Sequence, residues 1–232
     1  MSSVRLSLAF ERKSGSETRA VQIDQLVIAG WTGRNKAAME AHIEELEKLG
    51  VARPKSTPIY YRAAAQMLTT ADRIEVAGGD SSGEVEFMLF GMEDGLWIGV
   101  GSDHTDRKLE TIGVTWSKQA CPHPLASTLW RFDEVVDHWE QLILRSFAIE
   151  DGKPVLYQEG PVTAMLPPLD LIANCPVASG KTLPAGTAMY CGTLPAKGGI
   201  RPAEGFTFEL EDPVLKRKIG HSYMTKVLPI EG

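Results

Sequence analysis

The sequence predicts an α+β fold. Strand-like segments outnumber helical ones, the two kinds do not follow each other as βαβ units, and the last third consists of short β-favouring runs cut by Gly and Pro. A doubly wound parallel sheet needs the regular alternation that is missing here.

The elements follow in order. Val4, Leu6, Leu8 and Phe10 alternate with polar residues, Val21, Ile23 and an apolar run at 26–28 come next, and 13–17 supplies a polar turn. Residues 1–29 therefore read as a hairpin-like lead-in. After Gly30-Trp31-Thr32-Gly33, good helix formers run over 35–49, with Ala38, His42, Glu45 and Leu49 on one face and Gly50 at the end. Pro54 and Pro58 interrupt the chain; 59–62 is extended, and a short alanine-rich helix is expected over 63–68. Residues 74–100 read as strand, turn, strand, with turn chemistry at 78–83 and at Glu93-Asp94-Gly95. A second helix is expected over 129–147, where Trp130, Val135, His138, Trp139, Leu142 and Ile143 form an apolar stripe. Short strands are expected at 154–158, 163–166, 187–191, 205–210 and 221–228.

Composition bounds the function. With 232 residues, 43% hydrophobic and 23% charged, and with no repeat or long linker, the chain is expected to form a single domain over 1–232. Aromatics spread from Phe10 to Tyr223 exclude a disordered or collagenous protein. No apolar run approaches the roughly 20 residues of a membrane span, and the first residues lack a basic segment followed by a long apolar one, so a cytoplasmic location is expected. Cys121, Cys175 and Cys191 are widely spaced, without a Cys-x-x-Cys, and are read as reduced thiols. A net charge of −6 does not supply the positive field of a nucleic-acid binder. The cluster Lys216-Arg217-Lys218 reads as a solvated strand or turn.

Four places carry chemistry. Glu84-Val85-Glu86 on a strand puts both carboxylates on one face with Met88 and Phe90; like charges that close need a cation between them, or else mark an exposed strand end. The string Gly99 through Arg107 is an apolar strand running into Asp103, His104, Asp106 and Arg107, where either Asp completes a three-carboxylate site or caps a local turn. Trp116 with Lys118 supplies a cation for a substrate carboxylate or a snorkelling surface lysine. Gly192-Thr193 before a glycine-rich turn presents backbone N–H groups and a hydroxyl to an anion, or simply connects two strands.

Taken in succession these residues resemble the fumarylacetoacetate hydrolase superfamily. The matching series is Glu84 and Glu86, Asp103 with Arg107, Trp116 with Lys118, then Gly192-Thr193 with Pro195. Between them, 150–154 with Gln158 looks like the family's Asn-Gly turn and following Gln, and 183–187 looks like its lead into the Gly-Thr turn. The resemblance covers residues 25–228 and points to a divergent branch. It implies a mixed β-sheet roll or sandwich with few peripheral helices. It also implies Mg²⁺ or Mn²⁺ held by Glu84, Glu86 and Asp103, and a small 2-oxo acid or 1,3-dicarbonyl substrate. Arg107, Lys118 and Thr193 would bind that substrate, and the protein would be a homodimer. The chemistry implied is that of a hydrolase or lyase working through a metal-stabilised enolate; a non-catalytic acid-binding or interaction protein on the same fold is the alternative. The chain departs from the pattern at three places. The segment from Glu86 to Asp103 is short, Leu194 is inserted in the Gly-Thr-Pro turn, and Lys36 stands where the family has its histidine. His42 and Glu45 keep a His-x-x-Glu spacing and are the candidate base and its orienting partner, provided six residues are inserted before them.

Overall fold

The computed structural model describes residues 3–48 and 53–231. The polar turn after Arg12 does close a hairpin. Strand β1 (Val4–Arg12) pairs antiparallel with β2 (Gly15–Ile23), and Leu6, Leu8 and Phe10 are buried on its inward face, as period-2 alternation requires. Strand β3 (Gln25–Gly30) pairs with β4 (Ile59–Ala63), and between them lies helix α1 (Lys36–Lys48). Asn35 starts that helix by accepting a hydrogen bond from the Ala38 N–H at 3.1 Å.

Nine further strands complete two sheets: β5 (Arg73–Ala77), β6 (Val85–Met92), β7 (Gly95–Ser102), β8 (Thr128–Arg131), β9 (Ile143–Glu150), β10 (Lys153–Pro161), β11 (Thr187–Thr193), β12 (Gly205–Asp212) and β13 (Arg217–Leu228). The larger sheet has the order β2-β1-β8-β7-β6-β11-β3-β4 and is mixed, with β1/β8 and β11/β3 parallel. The smaller has the order β10-β9-β12-β13-β5 and is antiparallel except for β13/β5.

Alternation along β6 divides the interior. Val85, Phe87 and Leu89 face the smaller sheet and pack with Leu144, Phe206, Phe208 and Tyr223. Met88 and Phe90 face the other way and join Leu6, Leu8, Leu26, Ile28, Trp97 and Tyr190 in a second core. Strands β1 and β3 contribute to that second core although they lie far apart in the sheet order, so the large sheet curls over it. Phe10 of β1 meets Trp97 of β7 edge to face at 4.6 Å inside the curl. This is the α+β class that the sequence pattern predicted and the mixed-sheet roll with few helices that the resemblance implied.

Local expectations fail in specific places. The helix expected over 129–147 is instead β8, two 3₁₀ turns (Phe132–Glu134 and Val136–Gln141) and β9. Leu129 and Trp130 are both fully buried, on opposite faces of a central strand, and burial on both faces mimics an apolar helical stripe. The strand expected at 163–166 is a 3₁₀ turn at Val162–Ala164, and the expected helix at 63–68 shrinks to a 3₁₀ turn at Ala65–Met67. Three short helices went unpredicted: α2 (Arg107–Glu110), α3 (Val114–Gln119) and α4 (Pro168–Asn174). The cysteines Cys121, Cys175 and Cys191 are buried and free. Among the described residues no helix is long and apolar enough to cross a membrane.

Candidate functional site

The hairpin β6/β7 builds the site. Val85 pairs with Ser102, and one step beyond, the Asp103 N–H donates to the Glu84 carbonyl at 2.9 Å, so Glu84 and Asp103 stand opposite each other at the end of the ladder. Two residues along β6, Glu86 lies on the same face as Glu84, as the pleat requires. Glu84, Glu86 and Asp103 each offer an oxygen within 4.8 Å of the others. The segment after Asp103 turns back at once: Thr105-Asp106 pairs antiparallel with Ser81-Ser82, and the Asp106 carboxylate caps α2 by accepting from the Leu109 N–H at 2.9 Å. Of the two aspartates, Asp103 therefore faces the cluster and Asp106 serves the backbone.

The cations are threaded between these carboxylates. Lys118, buried on α3, places its Nζ 2.8 Å from Glu84 Oε2, 2.8 Å from the Thr105 hydroxyl and against Asp103 Oδ2. Arg107, at the start of α2, sets Nη2 2.9 Å from Glu84 Oε1, donates through Nη1 to Glu110 at 3.0 Å and through Nε to Ser82 at 2.8 Å. Neither oxygen of the buried Asp103 receives an in-line hydrogen bond, although Lys118 and the His123 ring both touch that carboxylate.

Electrostatics divides the three acids. Burial pushes the Glu84 carboxyl up, but Arg107 and Lys118 outweigh it and hold it below its ordinary range. Burial also pushes Asp103 up, and Lys118 and His123 bring it down to about 2. Glu86 is different: burial and then the charge of Asp103 raise it well above the usual carboxylate range. The charge of Lys118 and the backbone N–H of Gly192, which donates to Oε2 at 2.6 Å, oppose that rise without overcoming it. A bulge in β11 between Tyr190 and Thr193 aims that N–H at the site.

Behind the cluster runs a buried polar chain that links the two sheets. The Glu84 N–H donates to the Ser102 hydroxyl at 3.2 Å, Ser102 bonds the Tyr223 hydroxyl at 2.9 Å, Tyr223 bonds His104 Nδ1 at 2.8 Å, and His104 Nε2 bonds Ser81 at 2.9 Å. Burial and then the nearby Arg107 hold the His104 imidazole neutral, its pKa lowered to about 3. His104 thus faces away from the carboxylates.

Of the other residues singled out in sequence, Thr193 has its hydroxyl engaged: it donates to the Val85 carbonyl and accepts from Gln158, both at 2.8 Å. Gln158 also accepts from the Val85 N–H at 2.9 Å, clamping the start of β6. Trp116 is exposed on α3. His42 and Glu45 lie on α1, but their side chains are outside the described residues. Lys36 is an exposed residue at the start of that helix. Sequence reasoning did not place His123 or Tyr223 at the site: Tyr223 reaches it by long-range packing, and His123 by turning its ring back onto the Lys118 carbonyl five residues earlier. The Gly192 N–H, which the sequence left either open to an anion or in a plain strand connection, donates to the protein's own Glu86 from a bulge in β11.

Residues 29–223 match the family described as protein of unknown function DUF2848. The chain belongs to the DUF2848 family. No curated protein matches it. In structure this DUF2848 protein is similar to 2-keto-3-deoxy-D-arabinonate dehydratase in its apo form, with a TM-score of 0.64 at 13% identity over 92% of this chain and 77% of that one. It is also similar to a yeast fumarylacetoacetate hydrolase family protein, with a TM-score of 0.61 at 15% identity over 90% and 95% of the two chains. A protein from Mycobacterium abscessus gives 0.62 at 15% identity over 94% and 84%. The fold of this DUF2848 protein is thus similar to that of a fumarylacetoacetate hydrolase family protein.

Proposed function

We propose that this protein is a divalent-metal-dependent hydrolase or lyase acting on a small 2-oxo acid or 1,3-dicarbonyl compound. The observation that carries the reading is the convergence of Glu84, Glu86 and Asp103 around a shared point, with both buried oxygens of Asp103 free of in-line hydrogen bonds. Two cations pair with Glu84 and Asp103, so ionising Glu86 leaves excess negative charge that a bound cation would offset, and oxygen donors of this kind suit Mg²⁺ or Mn²⁺. Glu84, Glu86 and Asp103 would hold the ion. When bound, such an ion polarises a keto oxygen and lowers the cost of the enolate that C–C cleavage, decarboxylation and dehydration share.

The chain's own residues set the rest. Lys118 bridges Glu84 and Asp103 and keeps both ionised; Gly192 N–H orients Glu86; Arg107 locks Glu84 to α2. Arg107 and Lys118 are the residues proposed to meet the substrate's oxygens, and Thr193 would join them by releasing the Val85 carbonyl to which its hydroxyl now donates. For hydrolysis, His42 and Glu45 are the proposed base and orienting partner for water. Assembly as a homodimer in the cytoplasm belongs to the same proposal.

A second reading has one observation in its favour. Lys118 and Arg107 already pair with Glu84 and Asp103, so the cluster is partly neutralised without an ion, as a non-catalytic acid-binding protein on this fold would need. Titration calorimetry separates the two. Mg²⁺ and Mn²⁺ are titrated into chelator-treated wild type and a Glu84→Gln/Glu86→Gln variant, with and without oxalate as an enolate mimic. The enzyme reading expects wild-type binding that oxalate tightens and the variant loses. Folded wild type that binds neither ion in either condition sinks it.

A further inference from the structure

The ring of His123 is fully buried, with Nε2 in hydrogen-bond geometry with a backbone carbonyl and Nδ1 close to Asp103 but not in line for a hydrogen bond. Nε2 lies 2.8 Å from the main-chain carbonyl of Lys118, and Nδ1 lies 3.1 Å from Asp103 Oδ1.

The first contact has a cause in the sequence. Lys118 sits in the last turn of α3, where carbonyls lose their helical donors. The residue four positions on, which would donate in a longer helix, is Pro122, and proline has no N–H. His123 follows directly and turns its ring back to supply the missing donor. A carbonyl only accepts, so Nε2 carries a proton; a carboxylate only accepts as well, so Nδ1 attracts Asp103 only when it carries a proton of its own, in the imidazolium form.

The second contact reaches the cluster. Asp103 Oδ1 has the edge of the His123 ring beside it and Oδ2 has Lys118, so one imidazole touches the carboxylate directly and holds the backbone of the lysine that touches it from the other side. The ring cannot drift. His123-Pro124 is paired parallel to Leu68-Thr69, Tyr190 packs against the imidazole with centroids 5.7 Å apart, and the Tyr190 hydroxyl donates to the Pro124 carbonyl at 3.0 Å.

We propose that His123 is the positioning residue of the carboxylate cluster, fixing the Asp103 carboxylate and the Lys118 ammonium relative to each other so that Asp103 faces Glu84 and Glu86. The inference rests on the metal reading above and adds a residue to it. Side chains that orient metal-binding carboxylates typically change metal affinity by about 10–100-fold when removed.

Two measurements on the full chain test it. In metal-free ¹⁵N-labelled protein, the His123 Nε2 signal is expected to be that of a protonated ring nitrogen, and Asp103→Asn is expected to move the Nδ1 signal. Mn²⁺ is then titrated into wild type, His123→Phe, His123→Asn and His123→Gln, each checked for folding by circular dichroism. His123→Phe is expected to weaken binding about 10–100-fold. Asn places its amide near the Nδ1 position and is expected to recover most of that loss, whereas Gln reaches only the Lys118 carbonyl and is expected to recover little. The inference is overturned if the Nδ1 signal ignores Asp103→Asn, if folded His123→Phe binds as tightly as wild type, or if Gln restores binding as well as Asn. Should His123→Phe not fold, the Asn and Gln variants decide. Wild type that binds no Mn²⁺ removes the metal reading instead, and the ring signals then decide the His123–Asp103 contact on their own.

Discussion

The backbone N–H of Gly192 donates to Glu86 Oε2 at 2.6 Å, joining positions 106 residues apart in the chain. Gly192 reaches that position with φ of +99°, and a Cβ added there would lie 1.8 Å from the Thr32 hydroxyl oxygen. Gly192→Ala therefore combines a clash with a left-handed backbone that an L side chain rarely adopts. It is expected to lose at least about 1–3 kcal/mol of stability. Thr32→Ala in the same chain should recover part of that loss; chemical denaturation of the single and double variants measures both.

Lys118→Met removes the cation that bridges Glu84 and Asp103. Leaving buried charges without their partner typically costs about 3–5 kcal/mol, so the metal-free variant should be markedly less stable than wild type. The remaining carboxylates then carry more uncompensated charge. Mg²⁺ is expected to raise the melting temperature of Lys118→Met by more than that of wild type; an equal or smaller rise would contradict a shared cation site.

Tyr223→Phe cuts the chain from Glu84 through Ser102 to His104. It leaves His104 Nδ1 buried without its partner, a loss of about 1–3 kcal/mol. Because Ser102 also holds the Glu84 N–H, the variant is expected to loosen the strand end as well, seen as faster amide exchange at Glu84. Unchanged exchange there would mean the chain is local packing alone.

Asp212 gives the stability a pH dependence away from the site. Burial pushes its carboxyl up, but the Leu215 N–H, His138 and Arg217 together hold it below the ordinary value. A carboxyl depressed in the folded state contributes stability that is complete above the unfolded pKa of about 3.9 and is lost as pH falls through the folded value. Asp212→Asn should therefore be less stable than wild type at neutral pH, with the difference shrinking below about pH 4. Urea unfolding from pH 2.5 to 7 follows it.

The first sheet strand was legible because period-2 burial writes itself into the residue pattern, as in Val4 to Phe10. The region 129–147 was misread because Leu129 and Trp130 are buried on opposite faces, and pattern alone does not separate a two-sided buried strand from a helix. Likewise the residue pattern by itself left Asp103 and Asp106 open, and the resemblance chose Asp103. Only the pairing of Thr105-Asp106 with Ser81-Ser82 turns one into the cluster and the other onto a helix N-terminus.

What the sequence determined by itself was therefore short-range: the α+β class, the hairpin that sets Glu84 and Glu86 on one face, and the order of motifs that points to the fumarylacetoacetate hydrolase fold. The first two follow from backbone periodicity and turn chemistry within a few residues, and the third is a resemblance carried by the succession of motifs along the chain. The tertiary structure decided which charges meet. Lys118 enters between Glu84 and Asp103, His123 turns back onto both Lys118 and Asp103, and Gly192 and Tyr223 arrive from strands of separate sheets. Those contacts depend on how a curled sheet packs against its partner, and that packing is set by the summed burial of side chains far apart in the chain.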